Sequence, residues 1–217
     1  MTPLFRLTDV TLAGAQRPRL SYVSAEIVSG VTVVLGPSGS GKTSLLNLLV
    51  GMEQPDSGRI ETSIPANDRL PLFWSPADGG LWPGVSIVDH LRLVMPGSAQ
   101  PAAIQDWLDR FDLTSAAAET VEQLSAGERS RLSLARALAA DAAVLVLDEP
   151  LAHVDRERLP KYWGVIRETC AARGASLVYA AHQVADGAHA DHAVTMEAGR
   201  LIDDCPAGGG RRESAHG

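Results

Sequence analysis

Residues 31–44 have the sequence Val31-Thr-Val-Val-Leu-Gly-Pro-Ser-Gly-Ser-Gly-Lys-Thr-Ser44, and the order of features within this stretch decides the fold. It begins with a β-branched and apolar run, which predicts a buried strand. The pattern Gly-x-x-x-x-Gly-Lys-Thr follows, as in a phosphate-binding loop. Apolar residues at helical spacing come next, up to Val50. A strand, a glycine loop and a helix in this order predict an α/β fold that binds a nucleotide phosphate, rather than an ordinary Gly/Ser turn before a helix.

Each residue type in the loop has a chemical reason. Glycines let the backbone turn its N–H groups inward around a polyphosphate, and the following helix adds the positive end of its dipole. Lys42 supplies a positive charge for the terminal phosphates, and the Thr43 hydroxyl suits Mg²⁺, which prefers oxygen ligands. By itself the loop does not separate an ATPase from a GTPase or a small-molecule kinase. The predicted phosphate-binding residues are Gly36, Pro37, Ser38, Gly39, Ser40, Gly41, Lys42, Thr43 and Ser44.

Composition narrows the class of protein. The chain has 217 residues and a net charge of −7, which argues against nucleic acid as the main partner. Its two cysteines, Cys170 and Cys205, lack metal-ligand spacing and indicate a reducing compartment. The sequence contains neither a signal-peptide pattern near its start nor an apolar run long enough to span a bilayer. We therefore expect a cytosolic protein of one domain over residues 1–205, followed by a disordered tail at 206–217, with any membrane role exercised through a partner.

Apolar patterns predict the remaining elements. The two alternating segments near the start are separated by a short turn, so we expect an antiparallel pair at the edge of the sheet. The stretch from Ile64 to Gly84 is rich in proline and glycine and encloses one strand; Trp82 within it is expected to be partly exposed. Strands are predicted at Leu4–Leu12, Leu20–Val28, Arg59–Thr62 and Leu70–Trp74, and helices at Ile87–Val94 and Ala102–Phe111.

Three further segments contain candidate functional residues. Ser125-x-x-Glu128 is a capping box that opens a long helix, and with Gly127 beside it this helix start could also bind an anion. A buried strand at residues 143–147 ends in Asp148 and Glu149, two acids that are costly at a strand end unless a cation or substrate uses them. A helix is predicted over residues 156–172, bent near Pro160, and the strand Ser176–Ala181 then ends at His182. If the three strands are parallel neighbours, their polar ends meet at one nucleotide.

In these segments the chain resembles the ATP-binding subunits of ABC transporters, over nearly its whole length. Residues 36–43 match the Walker A loop, and Leu124-Ser-Ala-Gly-Glu128 is similar to the family's signature motif. Val144–Glu149 matches Walker B with its glutamate, Ala152–Asp155 resembles the D-loop, and His182 the switch histidine. Residues 191–201 are similar to the family's closing strands. Glu128 favours the lipoprotein-release and macrolide-export-like subgroup.

The resemblance implies a P-loop NTPase with a RecA-like core of mostly parallel sheet, an antiparallel β edge and an inserted helical subdomain at about 78–136. Two subunits, a homodimer or a pair of ATP-binding subunits, would hold two ATP molecules between them. Ser125, Gly127 and Glu128 of one subunit would face the γ-phosphate bound by the other, with Asp155 of the D-loop close by. The helical subdomain would meet a transmembrane permease at the inner face of the cell membrane.

The resemblance also implies catalytic roles. Glu149 would be the general base, with Lys42 and His182 on the γ-phosphate. Thr43 and Asp148 would hold Mg²⁺.

Two departures from the family pattern concern the nucleotide. The family has a glutamine before the helical subdomain, at a position that falls near Ala77 here, and Asp78 is the candidate replacement as an oxygen ligand of Mg²⁺. The aromatic residue that stacks on adenine is expected between Leu12 and Ala15 but is missing. Either Tyr22 or Phe5 replaces it, or stacking is weaker and nucleotide choice looser. Ala126 and Val154 are milder changes in the signature and the D-loop.

Two other functions remain as alternatives to a transport ATPase. A soluble ABC-type ATPase with a regulatory or nucleic-acid role would act without a permease. The acidic balance and the lack of a zinc-type cysteine cluster speak against its DNA-repair forms. A P-loop small-molecule kinase would need arginines near the phosphates, whereas the main arginine cluster, Arg129 to Arg136, lies along the signature helix.

Overall fold

A computed structural model describes residues 2–64, 68–97, 100–182 and 188–206. Within these ranges the chain forms two β-sheets and the helices that pack on them, and every predicted strand is found, with ends that differ by at most a few residues. The strands are β1 (Pro3–Leu12), β2 (Leu20–Val28), β3 (Val31–Leu35), β4 (Ser57–Thr62), β5 (Leu70–Ser75), β6 (Ala142–Asp148), β7 (Ser176–Ala181), β8 (His192–Glu197) and β9 (Arg200–Pro206). The α-helices are α1 (Lys42–Leu49), α2 (Ile87–Val94), α3 (Pro101–Arg110), α4 (Ala126–Ala139) and α5 (Leu159–Arg173).

The main sheet has the strand order β5-β6-β7-β3-β8-β9 and is parallel except for β9. Side chains along β6 alternate between two cores. Leu145 and Leu147 pack with residues of α2 to α5, whereas Val144 and Val146 pack with residues of α1, β1 and β2. Because both faces of the sheet are covered, its central strands are apolar throughout.

The second sheet is antiparallel and consists of β1, β2 and β4, which differs from the predicted edge of the main sheet. Its order is β2-β1-β4, with β1 paired to both neighbours. Its inward-facing residues, such as Phe5 and Ile27, pack in one core with Leu45 and Leu46 of α1. The alternation in β1 and β2 predicted their pairing with each other. It held no information on which other strands would join them.

The register of the main sheet brings three strand ends to one level. Strand β7 lies between β6 and β3, with Asp148 opposite Ala180 and Leu35 opposite Ala181. The loop after β3, the acids at the end of β6 and His182 after β7 therefore start at the same edge of the sheet. The predicted convergence of polar strand ends is confirmed.

Helix α5 corrects one prediction. It begins at Leu159, three residues later than the sequence pattern suggested, and Pro160 lies in its first turn, so it causes no bend. A proline is accommodated there because the first N–H groups of a helix have no intrahelical acceptor. The residues before it form turns that carry the D-loop segment along the surface.

Several smaller expectations are also met. Cys170 and Cys205 are free thiols, and Trp82 is exposed over 43% of its surface. In the parts of the chain that the structure describes, no helix combines the length and apolar character needed to cross a membrane. The predicted disordered tail falls almost entirely outside the described residues, beyond Pro206.

Candidate functional site

The phosphate-binding loop requires its glycines for geometric reasons. Gly36 has φ 153° and Gly41 has φ 106°, values that side chains other than glycine rarely adopt. A Cβ atom on Gly36 would lie 2.3 Å from the carbonyl oxygen of Met196, and one on Gly41 would lie 2.8 Å from that of Arg19. The loop is therefore packed tightly between β8 and the segment that precedes β2.

Helix α1 starts directly after this loop. Gly41 is its N-cap residue, and no side chain caps the first N–H groups. These groups, with the positive end of the helix dipole, form the type of site that binds phosphate. The ammonium of Lys42 is buried above the loop, where it donates to the carbonyl oxygens of Gly36 at 2.9 Å and Pro37 at 3.4 Å.

Thr43 and Asp148 are joined across the sheet edge. The Thr43 hydroxyl donates to Oδ2 of Asp148 at 2.7 Å, and Asp148 is only 3% exposed. Its other oxygen, Oδ1, is buried and has no hydrogen-bond partner among the described residues. Burial raises the pKa of Asp148; the hydrogen bond from Thr43 opposes the rise, and the charge of Glu149 adds to it. An orphaned carboxylate oxygen beside a threonine hydroxyl is a donor set that fits a hard divalent cation.

Glu149 occupies a strained position beside two possible charge partners. Its φ of 52° is unusual for a residue other than glycine. Its Oε1 lies 2.6 Å from Nε2 of His182 and 4.0 Å from the Lys42 ammonium. Nδ1 of the same histidine lies 3.4 Å from that ammonium. The structure thus brings the predicted catalytic residues Lys42, Glu149 and His182 together.

A cavity of about 490 Å³ opens at this place, and we call it the loop cavity. Glu149 and His182 line one part of it, and the loop and the start of α1 line another. The sequence analysis did not single out the remaining lining residues. They are Arg17, Pro18 and Arg19 before β2, with Ala198 and Gly199 between β8 and β9.

The signature residues lie in a different place. Ser125 caps α4, accepting from the N–H of Glu128 at 3.2 Å, while the Glu128 carboxylate accepts from the Ser125 N–H at 2.8 Å and hydroxyl at 2.6 Å. These bonds from Ser125 hold the pKa of Glu128 below its ordinary value. Ser125, Gly127 and Asp155 line a second cavity that shares no lining residue with the loop cavity; we call it the signature cavity. The structure of one chain therefore does not bring the signature residues to its own loop.

A third cavity contains Asp78. It shares Asp148 and Glu149 with the nucleotide site and includes Arg129 and His153, which were not among the predicted site residues. Asp78 is exposed and accepts from the N–H of Gly80 at 2.9 Å. Its placement in one cavity with Asp148 is compatible with the predicted Mg²⁺ role, which stays a prediction.

The structure rules out one of the two candidate replacements for the adenine-stacking aromatic, and the other stays a prediction. Phe5 is 1% exposed, with its ring inside the core beneath the antiparallel sheet. Tyr22 is 75% exposed on β2 but does not line the loop cavity. Alternation along β1 and β2 could have assigned Phe5 to the inner face, whereas the position of Tyr22 depends on how the two sheets pack.

Comparison with known proteins places these features in a family. The sequence profile described as ABC transporter matches residues 20–152. The Fe(3+) ions import ATP-binding protein FbpC of Pseudomonas fluorescens Pf-5 is 32% identical over 200 residues, which cover 85% of this chain and 56% of that protein. The molybdenum import ATP-binding protein ModC of Methylococcus capsulatus is 31% identical, with coverage of 92% and 56%. The chain thus spans about half the length of these curated relatives.

Solved structures agree on the fold. The dimeric ATP-binding cassette MJ0796, in a post-hydrolysis state bound to ADP and Pi, superposes with a TM-score of 0.80 at 20% identity. The match covers 95% of this chain and 100% of the MJ0796 chain. The predicted class, a P-loop NTPase of the ABC ATPase type, is confirmed. The subgroup suggested by Glu128 stays a prediction, because the quoted relatives are named for import.

Proposed function

Since this chain belongs to the ABC transporter family, we propose that it binds and hydrolyses ATP and that the hydrolysis drives a membrane transporter. The observation that carries the proposal is the convergence of Lys42, Thr43, Asp148, Glu149 and His182 at one sheet edge. A phosphate loop needs only the first two of these residues. The other three supply what hydrolysis requires beyond binding, namely a cation ligand, a base and a polar partner for the phosphate.

The triphosphate would lie in the loop cavity. Backbone N–H groups of residues 38–44 would hold its oxygens, and Lys42 would exchange its carbonyl acceptors for the terminal phosphates. Mg²⁺ would be held by Thr43 and Asp148, where it would neutralise phosphate charge. The support for this assignment is the buried Oδ1 of Asp148, which has no partner among the described residues.

Glu149 is the candidate general base. Its carboxylate lies on the loop cavity, where it can accept the proton of an attacking water, and the neighbouring His182 can donate an N–H to a phosphate oxygen. The position of Glu149 at the end of buried strand β6 fixes its backbone, as a base of defined direction requires.

Two subunits would complete the site. Ser125, Gly127 and Asp155 line a cavity of their own, away from the loop of the same chain, and Ser125 at the start of α4 is exposed. We propose a head-to-tail dimer, either of two copies or of this chain with a paired ATP-binding subunit. The signature residues of one subunit, Glu128 included, would then contact the nucleotide on the other.

A permease would supply the membrane-spanning part. The segment at about 78–136 would be the helical subdomain that meets it, and this chain would then lie on the inner face of the cell membrane. Exposed apolar side chains in that segment, Trp82 and Leu93, are suited to such a contact. The quoted relatives are named as ATP-binding proteins of ion import; the solute moved here would be set by the permease.

The test is the ATPase rate as a function of protein concentration, with Mg²⁺, for the wild type and Glu149→Gln. The rate per subunit should rise with concentration, because the site needs two subunits. It should fall by ~10²–10⁴-fold in Glu149→Gln, since a positioned base contributes about that factor. Glu168→Gln, which alters an exposed glutamate on α5, is the control. Wild-type turnover in Glu149→Gln would reject the assigned base, and a rate per subunit independent of concentration would reject the dimer.

A further inference from the structure

The segment between β1 and β2 forms a wall of the loop cavity. The carbonyl oxygen of Arg19 lies 2.8 Å from a Cβ position on Gly41 and 2.7 Å from one on Gly199. Nη2 of Arg17 is the nearest heavy atom to a Cβ position on Gly39, at 3.8 Å. The guanidinium of Arg17 therefore lies beside the outer part of the phosphate loop and lines the loop cavity.

The two arginines of this wall differ in their partners. Arg19 donates from Nε to the carbonyl oxygen of Ala13 at 3.0 Å and from Nη1 and Nη2 to the Glu53 carboxylate, so each of its guanidinium nitrogens has a partner. Arg17 is exposed and, within the described ranges, makes no hydrogen bond, ion pair or ring contact. The planar guanidinium of Arg17 thus lines the cavity, and no contact with the rest of the described chain explains its presence there.

The direction of the nucleotide follows from the other residues of the cavity. Glu149 and His182 mark the terminal phosphate, which leaves the base to extend toward another part of the lining. The wall at residues 17–19 packs against Gly39 and Gly41, on the outer side of the loop. Among the described residues that line the cavity there is no phenylalanine, tyrosine or tryptophan. The face of a purine ring would therefore meet the wall that carries Arg17 rather than an aromatic side chain.

We propose that Arg17 is the residue that stacks on the nucleotide base, with its planar guanidinium lying against the purine ring. Guanidinium groups stack on aromatic faces, and stacking of this kind tolerates different bases because every base has a π-face. The inference rests on the proposed binding of ATP. It adds that the site discriminates little between bases, so that adenine and guanine nucleotides bind with similar affinity. The competing role for Arg17 is a charge contact with the phosphates.

The experiment measures dissociation constants for Mg²⁺ complexes of ATP, GTP and inorganic tripolyphosphate by calorimetry. Four proteins are compared: wild type, Arg17→Ala, Arg17→Lys and Arg17→Tyr. Lysine keeps the charge without the plane, tyrosine keeps the plane without the charge, and tripolyphosphate has no base. Arg59→Ala, on the far strand β4, is the control for loss of one positive charge at the surface.

Stacking predicts that Arg17→Ala weakens ATP and GTP by about tenfold and tripolyphosphate by less than about twofold. Arg17→Lys should behave like alanine, and Arg17→Tyr should restore most of the affinity. Equal losses for ATP and tripolyphosphate, with rescue by lysine, would assign Arg17 to the phosphates and overturn the proposal. Unchanged affinities in all variants would overturn it too.

Failure of the proposed function would give a different experimental result from failure of the Arg17 proposal. A protein that binds these ligands but never hydrolyses ATP would contradict the transport ATPase and leave the Arg17 comparison intact. A wild-type protein that binds tripolyphosphate no more weakly than ATP would refute base stacking while keeping the phosphate loop. Wild type that binds neither would refute both.

Discussion

The orphaned oxygen of Asp148 predicts that the nucleotide site lowers the stability of the protein when no nucleotide is bound. In Asp148→Asn the side-chain carbonyl can still accept from Thr43, but the group at the unpartnered position becomes a neutral amide. An unsatisfied buried polar group costs ~1–3 kcal/mol, and a charged one costs more. Because the amide is also unpartnered, we expect only part of this cost to be recovered, about 1 kcal/mol, or ~2–4 °C in melting temperature for a chain of this size.

Ligand binding should reverse the order of the two proteins. At a nucleotide concentration of about 100 times the dissociation constant, Mg²⁺-ATP stabilises the parent by ~2.7 kcal/mol, or roughly 5–11 °C. If Asp148→Asn weakens binding by about 100-fold, the same concentration adds only ~0.4 kcal/mol, close to 1 °C. Melting curves with and without Mg²⁺-ATP, and with ATP plus a chelator, measure both effects.

The pH dependence of the free energy of unfolding is an independent test of whether Asp148 destabilises the ligand-free protein. Burial raises the folded-state pKa of Asp148, so its contribution to stability is fully present below the ordinary aspartate pKa and is lost as pH rises through the folded value. The amide that replaces it does not titrate, and the stability gap between variant and parent should therefore open over that window as pH rises. Asp204→Asn is the matched control. Asp204 also has a pKa raised by burial, but it pairs with His192 at 2.9 Å, away from the loop cavity.

One outcome would refute the cation-binding role of Asp148. In it, Asp148→Asn is less stable than the parent without ligand and keeps the full Mg²⁺-ATP shift. That result would make Asp148 a structural partner of Thr43 alone. A Mg²⁺-ATP shift that Asp204→Asn also loses would attribute the effect to the loss of a carboxylate in general, whatever its position in the structure.

Two further predictions concern the stability of the helices near the site, α4 and α5. Ser125→Ala removes the hydroxyl that accepts from the Glu128 N–H, which is the side-chain half of the capping box, and leaves the backbone N–H that donates to Glu128. It should lower the free energy of unfolding by about 1 kcal/mol in urea titrations; an unchanged midpoint would contradict the cap. Asp112 accepts from Lys161 at 2.7 Å and from the hydroxyl of buried Tyr162 at 2.9 Å. Asp112→Ala should therefore cost about 1–3 kcal/mol in the same titrations, mainly from the unpaired hydroxyl, and Asp112→Asn, which also tolerates the φ of 52° there, should cost less. An equal loss in both variants would show that the charge, rather than the hydroxyl's acceptor, is what matters.

The sequence was informative wherever one local pattern determines the outcome. Residues 31–44 predicted a strand, a loop and a helix, because the glycine positions and Lys42-Thr43 have few other uses together. The apolar runs that became β6 and β7 were recognised because strands buried on both faces lack polar alternation. Because ligands bind at the carboxyl ends of parallel strands, the sequence alone predicted that Asp148, Glu149 and His182 approach the loop.

Features that depend on packing between distant segments escaped the sequence analysis. Strand β4 joins β1 across a separation of more than forty residues, which alternation does not reveal. Pro160 is compatible with a kink or with a helix start, and only the position of the preceding turns decides between them. Arg17 lies in a turn without regular pattern. Its significance comes from its distance to Gly39 and from its lack of a partner among the described residues, and neither property is local in sequence.

The charges around Glu149 connect these observations to the mechanism. Oε1 of Glu149 lies against Nε2 of His182, and the Lys42 ammonium is within 4.0 Å of the same oxygen. While Oε1 is in contact with that histidine nitrogen, it is less accessible to an attacking water. A terminal phosphate offers both Lys42 and His182 a more highly charged acceptor than Glu149. Binding of the triphosphate would then release the Glu149 carboxylate from Lys42 and His182, so that it can accept the proton of the attacking water. In His182→Ala this release on nucleotide binding should be lost, and turnover should fall more than nucleotide affinity.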